Sequence, residues 1–215
     1  MFARSFILAV VFMLGSTGLF AQTVPVRAKL RTTTEIILDG KVIKTTVGGG
    51  FFYRASNGSS IRQLRKIRED GTLGDVIVAD LTDKEHNITY RIDYTNHRAW
   101  VTPASVLDIL TVSPGDNPPP GGYPQDSVET ISCVKRPVRR KVANDPPTEV
   151  GYSCVSERNN DLELTREVTE PIATSPGRAV HSTSVLYDIE LGKEPDPTLF
   201  DLKDFTISKL PDPKK

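Results

Sequence analysis

The chain has 215 residues, 27 basic and 27 acidic side chains and a formal net charge of zero. That length suits one domain or two small ones, and the charge balance argues against bulk nucleic acid as the main partner. Sixteen Pro and 15 Gly point to a loop-rich fold.

Residues 1–21 carry one early charge, Arg4, then the apolar run Phe6–Leu14 and a stretch of small residues. This is the pattern of a secretory signal peptide, with cleavage expected after Ala21. The alternative is an uncleaved N-terminal anchor. The apolar run falls short of the roughly 20 residues a spanning helix needs, and no second such run follows, so no transmembrane segment is expected in the mature chain. A secreted or periplasmic location gives the cysteines their meaning. Cys133 and Cys154 are the only pair, and in an oxidising compartment a pair reads as a disulfide. Closing the loop between them would stabilise the fold by roughly 3 kcal/mol.

Turn signals cut the rest into short alternating pieces. Val26–Leu38 ends at Asp39-Gly40, a strong hairpin signal, and Lys41–Val47 returns. Gly48-Gly49-Gly50 reads as a bulge or sharp bend before a third strand, Phe51–Arg54. Asn57-Gly58 and Asp70-Gly71 mark further turns. Ser60–Glu69 fits a short amphipathic helix, with Ile61, Leu64 and Ile67 three apart, and also fits a strand that points Leu64 the other way. Asp75–Leu81 is strand-like. In Ile88–Tyr94, Ile88, Tyr90, Ile92 and Tyr94 share one face. Asn96-His97 turns the chain into Ala99-Trp100-Val101. Residues 22–112 are thus an N-terminal β meander, whose last piece, Pro103–Val112, reads as a short helix with Pro at its first position.

Ser113–Pro124 holds five Pro and three Gly and reads as a linker or long surface loop. Beyond it, in 125–215, Thr130–Val134, Val150–Glu157, Leu162–Val168 and Ala179–Leu191 are strand-like, with Asn159–Asp161 as a hairpin turn. Neither portion has helices enough to cover a sheet. The expected fold is mostly β: an antiparallel curled sheet or half-open barrel with one or two short helices, the second portion completing the same sheet.

No catalytic constellation emerges. There is no nucleophile elbow, no phosphate-binding or dinucleotide glycine motif, and no short His/Cys metal spacing, so neither enzyme activity nor a cofactor or metal is expected. His181 reads as a structural histidine, and Asp80, Asp83 and Glu85 as a solvated turn rather than a calcium loop. Two basic clusters stand out: Arg62, Arg65, Lys66 and Arg68, and Lys135, Arg136, Arg139, Arg140 and Lys141. They suit either ion-paired strands or an anionic surface. Asn57 and Asn87 match the glycosylation acceptor pattern. Tyr53, Tyr90, Ile92, Tyr94 and Trp100, with Phe51, are expected to line an apolar concavity, which either packs as core or holds an apolar ligand.

Three segments resemble a family of secreted bacterial proteins: the hairpin about Asp39-Gly40, Phe52–Gly58, and the ending Glu194-Pro195-Asp196-Pro197-Thr198-Leu199-Phe200-Asp201. Members close with a similar EPDPxLF stretch and a short final strand, here Phe205-Thr206-Ile207. Here Ser59-Ser60 and Gln63 depart from the members' early motif. The resemblance implies that Ile61–Ile67 is a strand. The layout is also similar to periplasmic lipoprotein-carrier (LolA- and LolB-like) folds, half-closed barrels whose apolar cavity holds acyl chains. That similarity implies a non-enzymatic binder of a lipid or other apolar ligand. The other expected role is an envelope interaction or scaffold protein that meets an envelope partner or anionic surface through a basic cluster or a sheet edge.

Overall fold

The computed structural model describes residues 23–102, 110–112, 124–140, 146–172 and 174–209. The signal-peptide pattern and 113–123 of the Pro/Gly-rich stretch lie outside them. Within them the strands form one sheet, antiparallel apart from its last pair.

β1 (Val26–Leu38) and β2 (Lys41–Arg54) make a long hairpin at Asp39-Gly40, where both residues take positive φ (48° and 77°). Such angles define a two-residue turn whose twist matches its strands, and Asp-Gly tolerates them. β3 (Ser60–Ile67), β4 (Leu73–Asp83), β5 (Ile88–Asp93) and β6 (Arg98–Thr102) follow as a meander. The ambiguous segment after Ser60 is therefore strand. Its neighbours decide this, since both edges of β3 are paired, to β2 and to β4. β7 (Leu110–Val112), β8 (Gln125–Val128), β9 (Ile131–Arg140), β10 (Thr148–Ser156), β11 (Leu162–Pro171), β12 (Arg178–Leu191) and β13 (Thr206–Lys209) complete the set.

Strand order explains the architecture. It runs β13-β6-β5-β4-β3-β2-β1-β12-β11-β10-β9-β7, with β8 beside β7 on the outer edge of β9. The chain starts mid-sheet at β1, works outward to β6, re-enters at the far edge and returns to β12 alongside β1. β6 and β7 stand ten strand spacings apart in this order, about 48 Å in a flat sheet. The eight Cα steps from Thr102 to Leu110 reach at most about 29 Å. The sheet is obliged to curl, yet no pair closes it into a barrel.

Two apolar cores use opposite faces. On the inner side of the curl, Val26, Ala28 and Leu30 of β1 pack with Leu162 and Leu164 of β11, Leu186 of β12, and the Cys133–Cys154 disulfide, with Phe52 and Leu64 against them. On the other face, Tyr53, Ile61, Ala79, Leu81, Ile92 and Ala99 form the second core. Arg62 of β3 reaches Glu163 of β11 at 3.9 Å, a contact between non-adjacent strands that curling alone allows.

Three expectations need correction. Residues 48–50 neither break β2 nor bulge its pairing with β1: β2 is continuous through them, and the register shift of the β1–β2 pair falls near the hairpin tip, at Ile36/Ile37. The glycines answer to close neighbours instead. A Cβ on Gly50 would overlap the backbone carbonyl of Gln63, and one on Gly48 would meet the Thr32 hydroxyl. The helix expected over Pro103–Val112 ends as strand, because Leu110–Val112 pairs with Val138–Arg140 on the open edge of β9; the rest of it, 103–109, is outside the described residues. Strand Thr130–Val134 extends to Arg140 despite Pro137. β8 covers the outer edge of β9 over Ile131–Val134 and β7 over Val138–Arg140, so Pro137 falls in the gap between them. Helix among the described residues amounts to two 3-10 turns, Glu157–Asn159 and Pro197–Phe200.

Two substitutions separate the kinds of constraint. Gly50→Ala presses on backbone that cannot move and should cost well over about 2 kcal/mol, whereas Gly48→Ala meets a hydroxyl that can rotate away and should cost under about 1 kcal/mol. Chemical denaturation of the two variants checks the order. Arg54→Met, which strips the donors from three backbone carbonyls, should destabilise by at least about 2 kcal/mol in the same assay.

Candidate functional site

After β12 the chain leaves the sheet at Gly192 (φ 80°), whose N–H donates to Pro25 O at 2.9 Å. It then crosses the outer face of the N-terminal meander as a strap before joining β6 as β13. Each stretch of the strap has a local cause. The Ser56 N–H donates to both carboxylate oxygens of Glu194, at 3.1 and 3.3 Å, which pins the strap's start beside β2. Asp196 caps the turn Pro197–Phe200, accepting from the Thr198 N–H (2.9 Å) and hydroxyl (2.8 Å). Those two bonds hold the Asp196 carboxyl below the usual carboxylate range. Pro197 enters that turn at a position where its missing N–H costs nothing.

Leu199, Phe200, Leu202 and Phe205 then pack onto the second core. The Phe205 ring meets Tyr94 edge-to-face, centroids 5.1 Å apart, a geometry worth about 0.5–1.5 kcal/mol beyond burial. Thr206 N–H donates to His97 O at 3.0 Å and starts the parallel pairing.

Between strap and sheet lies a cleft of about 570 Å³. Its apolar lining comes from Leu81 and Tyr90 on the sheet and from Pro195, Pro197, Phe200, Leu202 and Ile207 on the strap side. Ser56, Asn57 and Ser59 supply polar atoms, and Asp83, Glu85 and Glu194 supply carboxylates. At the rim, His86 Nδ1 lies 2.7 Å from Asp83 Oδ2. Burial pushes the Asp83 carboxyl up, but its bonds and charge interaction with His86 outweigh this and hold it low. The same bond, with the Asp83 charge, raises the imidazole.

The residues expected to line a concavity divide here. Tyr53, Tyr90, Ile92 and Tyr94 do come together, all in the second core. Ile92 is 1 % exposed and Tyr53 9 %, too deep to touch a ligand in the cleft. Tyr94 lies under Phe205, and burial raises its phenol while a bond with Gln63 offsets part of that. Tyr90 alone of the five lines the cleft. Trp100 pairs with Arg91 and so faces the other way; its neighbour Ala99, fully buried, is the β6 residue that joins Ile92. Sequence reasoning missed the strap's part in the wall. The signal is present in Glu194–Phe200, where closely spaced prolines and a Leu-Phe pair put apolar side chains on a segment that cannot pair as strand.

The other candidates resolve into structure. Lys135 pairs with Asp126 (3.1 Å), Arg136 with Glu157 (2.5 Å) and Asp161 (3.5 Å), and Arg140 with Glu170 (3.6 Å). Arg65 donates to Gly74 O and lies over the Phe51 ring. Asp80 is held by Arg91 through two bonds of 2.9 and 3.0 Å. His181 bonds the Thr169 hydroxyl at 2.9 Å and stands 3.7 Å from Glu167. Asn57 and Asn87 both sit in turns. Among the described residues no His/Cys/Asp/Glu group could hold a metal, and no helix is long and apolar enough to cross a membrane.

No family model and no curated protein matches the chain. Among solved structures it is similar to a LolA superfamily protein from Nitrosomonas europaea, at 10 % identity and a TM-score of 0.34, over 85 % of this chain and 91 % of that one. A second is a putative outer membrane lipoprotein-sorting protein domain from Vibrio parahaemolyticus, at 8 % identity and 0.32, over 80 % and 89 %. Likenesses this loose carry no argument, so function rests on the cleft itself. Its rim can be read directly. His86 should titrate above its ordinary 6.5, and Asp83→Asn should return it there, as followed by ring-proton NMR. Because the folded imidazole value is the raised one, the His86 contribution fades as pH rises through it, and because the Asp83 carboxyl is held low, its contribution fades as pH falls through the folded carboxyl value.

Proposed function

We propose that this is a non-enzymatic secreted or periplasmic protein that binds an apolar or lipid-like ligand in the cleft beneath the strap. The observation that carries the reading is the cleft's construction. A wall of paired strands faces a wall of turn and proline, and apolar side chains line the larger part of the space between, beside Ser56, Asn57, Ser59 and the carboxylates of Asp83, Glu85 and Glu194. At about 570 Å³ it falls within the roughly 300–1,000 Å³ of small-molecule sites. Apolar tails gain about 0.8 kcal/mol for each methylene removed from water, so even a partly enclosed chain is held. The Cys133–Cys154 bridge suits an oxidising compartment. The alternative role, docking through the basic run of β9, is disfavoured by the ion pairs that Lys135, Arg136 and Arg140 already make.

Native mass spectrometry of the protein recovered from an oxidising compartment should show a bound mass of lipid character that solvent extraction removes. Tyr90→Ala combined with Leu202→Ala should weaken binding of a fluorescent fatty-chain probe about tenfold, the equivalent of roughly 1.4 kcal/mol, while the circular dichroism of the folded sheet persists. A clean apo mass together with no probe binding would sink the reading.

A further inference from the structure

The charges in the lining of the cleft are all of one sign. Asp83, Glu85 and Glu194 are its ionisable lining groups, and among the described residues lining it there is no Lys, Arg or His. His86 is bonded to Asp83 and offsets that carboxylate. Lys193, beside Glu194 in the chain, pairs with Glu190 at 3.5 Å, and the Lys84 stem lies against Gly58 outside the lining. Glu85 and Glu194 are left as the rim's net negative charge, and Glu194 is fixed in place by the Ser56 N–H. The lining also includes the aromatic rings of Tyr90 and Phe200, whose faces attract ammonium groups.

We propose that the cleft takes an amphiphile with a positively charged head, an amine or quaternary ammonium, on an apolar tail, and discriminates against anionic amphiphiles. This rests on the reading of the cleft as an apolar-ligand site and adds the chemistry of the head. The cavity and its apolar lining provide the tail's place. The carboxylates decide which head can stay beside it. An anionic head held there would face like charges with no cation in the lining to neutralise it, and beside an apolar wall that repulsion is stronger than in open water. A cationic head meets carboxylates already held apart from each other on different elements, Glu85 on the β4–β5 turn and Glu194 on the strap. Its arrival neutralises the rim without any side chain having to move out of an existing ion pair.

The test titrates the intact protein with three twelve-carbon probes below their micelle concentrations: dodecylammonium, dodecyl maltoside and laurate. Dodecylammonium should bind at least about tenfold more tightly than laurate, with the maltoside between. The gap should narrow several-fold on passing from about 0.1 M to 1 M salt, as the screening length falls from about 10 Å to about 3 Å. Glu85→Gln with Glu194→Gln should erase the preference, read as the ratio of dodecylammonium to laurate affinity within that variant, the Gln carbonyl still accepting from Ser56. Equal binding of all three probes, or a preference for laurate, overturns the head-group inference while leaving the apolar-ligand reading standing. Binding of none of them overturns both.

Discussion

One buried guanidinium holds the curl together. Arg54, at the end of β2, is 7 % exposed. Its Nε and Nη2 donate to Val24 O at 3.2 and 3.1 Å, its Nη1 to Asn160 O at 3.1 Å, and its Nη2 also to Asn159 O at 2.6 Å. A buried cation is costly unless its donors are satisfied, and here carbonyls from two distant segments do that work. Burial lowers its pKa, with the Asp161 charge acting against that shift. The Asn160 side chain returns a bond, accepting from Val24 N–H at 3.0 Å. Lead-in, β2 and the β10–β11 turn are thereby fixed at one point, and the carbonyls of that turn aim inward because Asn160 and Asp161 adopt positive φ.

The same stretch of chain serves the other face. Phe52 packs inside the curl, whereas Phe51 and Tyr53 pack under the strap. Two residues after Arg54, Ser56 anchors Glu194. The pin that closes the curl and the pin that starts the strap are therefore neighbours in sequence, on opposite sides of one strand end. Between these two faces, Gly50 stands where any side chain would overlap the Gln63 carbonyl of β3.

Much of this was legible in the sequence, for identifiable reasons. Asp39-Gly40, Asn57-Gly58 and Asp70-Gly71 fix local backbone angles that need no tertiary context. The alternation Ile88–Tyr94 reports a strand with one dry face, and two cysteines in a secreted pattern report a bridge. What escaped depended on long-range placement. Trp100 attracts attention by its size, but pairing sets direction, and Ile92 opposite Ala99 turns the tryptophan away. The strand expected over Thr130–Val134 stops short of its real end at Arg140, and the passage through Pro137 depends on β7 and β8 leaving a gap. The strap escaped because Pro and Asp in Glu194–Asp201 suggest loop, and nothing local says that a loop lies on a sheet.

The cleft's two walls are held by very different means. β4, β5 and β6 are locked by continuous antiparallel ladders, so opening that wall requires breaking the sheet. Between its exit at Gly192 and the pairing of β13, the strap is fixed by the Ser56 anchor and by side chains that are only half-buried, while its capping bonds are internal and survive if it lifts. Regions with few external bonds open at a small fraction of the global unfolding free energy. Access to the cleft is thus set by the strap, and a ligand that touches both walls is the one partner able to bind the strap down. The strap, tied to the sheet by few bonds between Gly192 and β13, is also the element that completes the cleft.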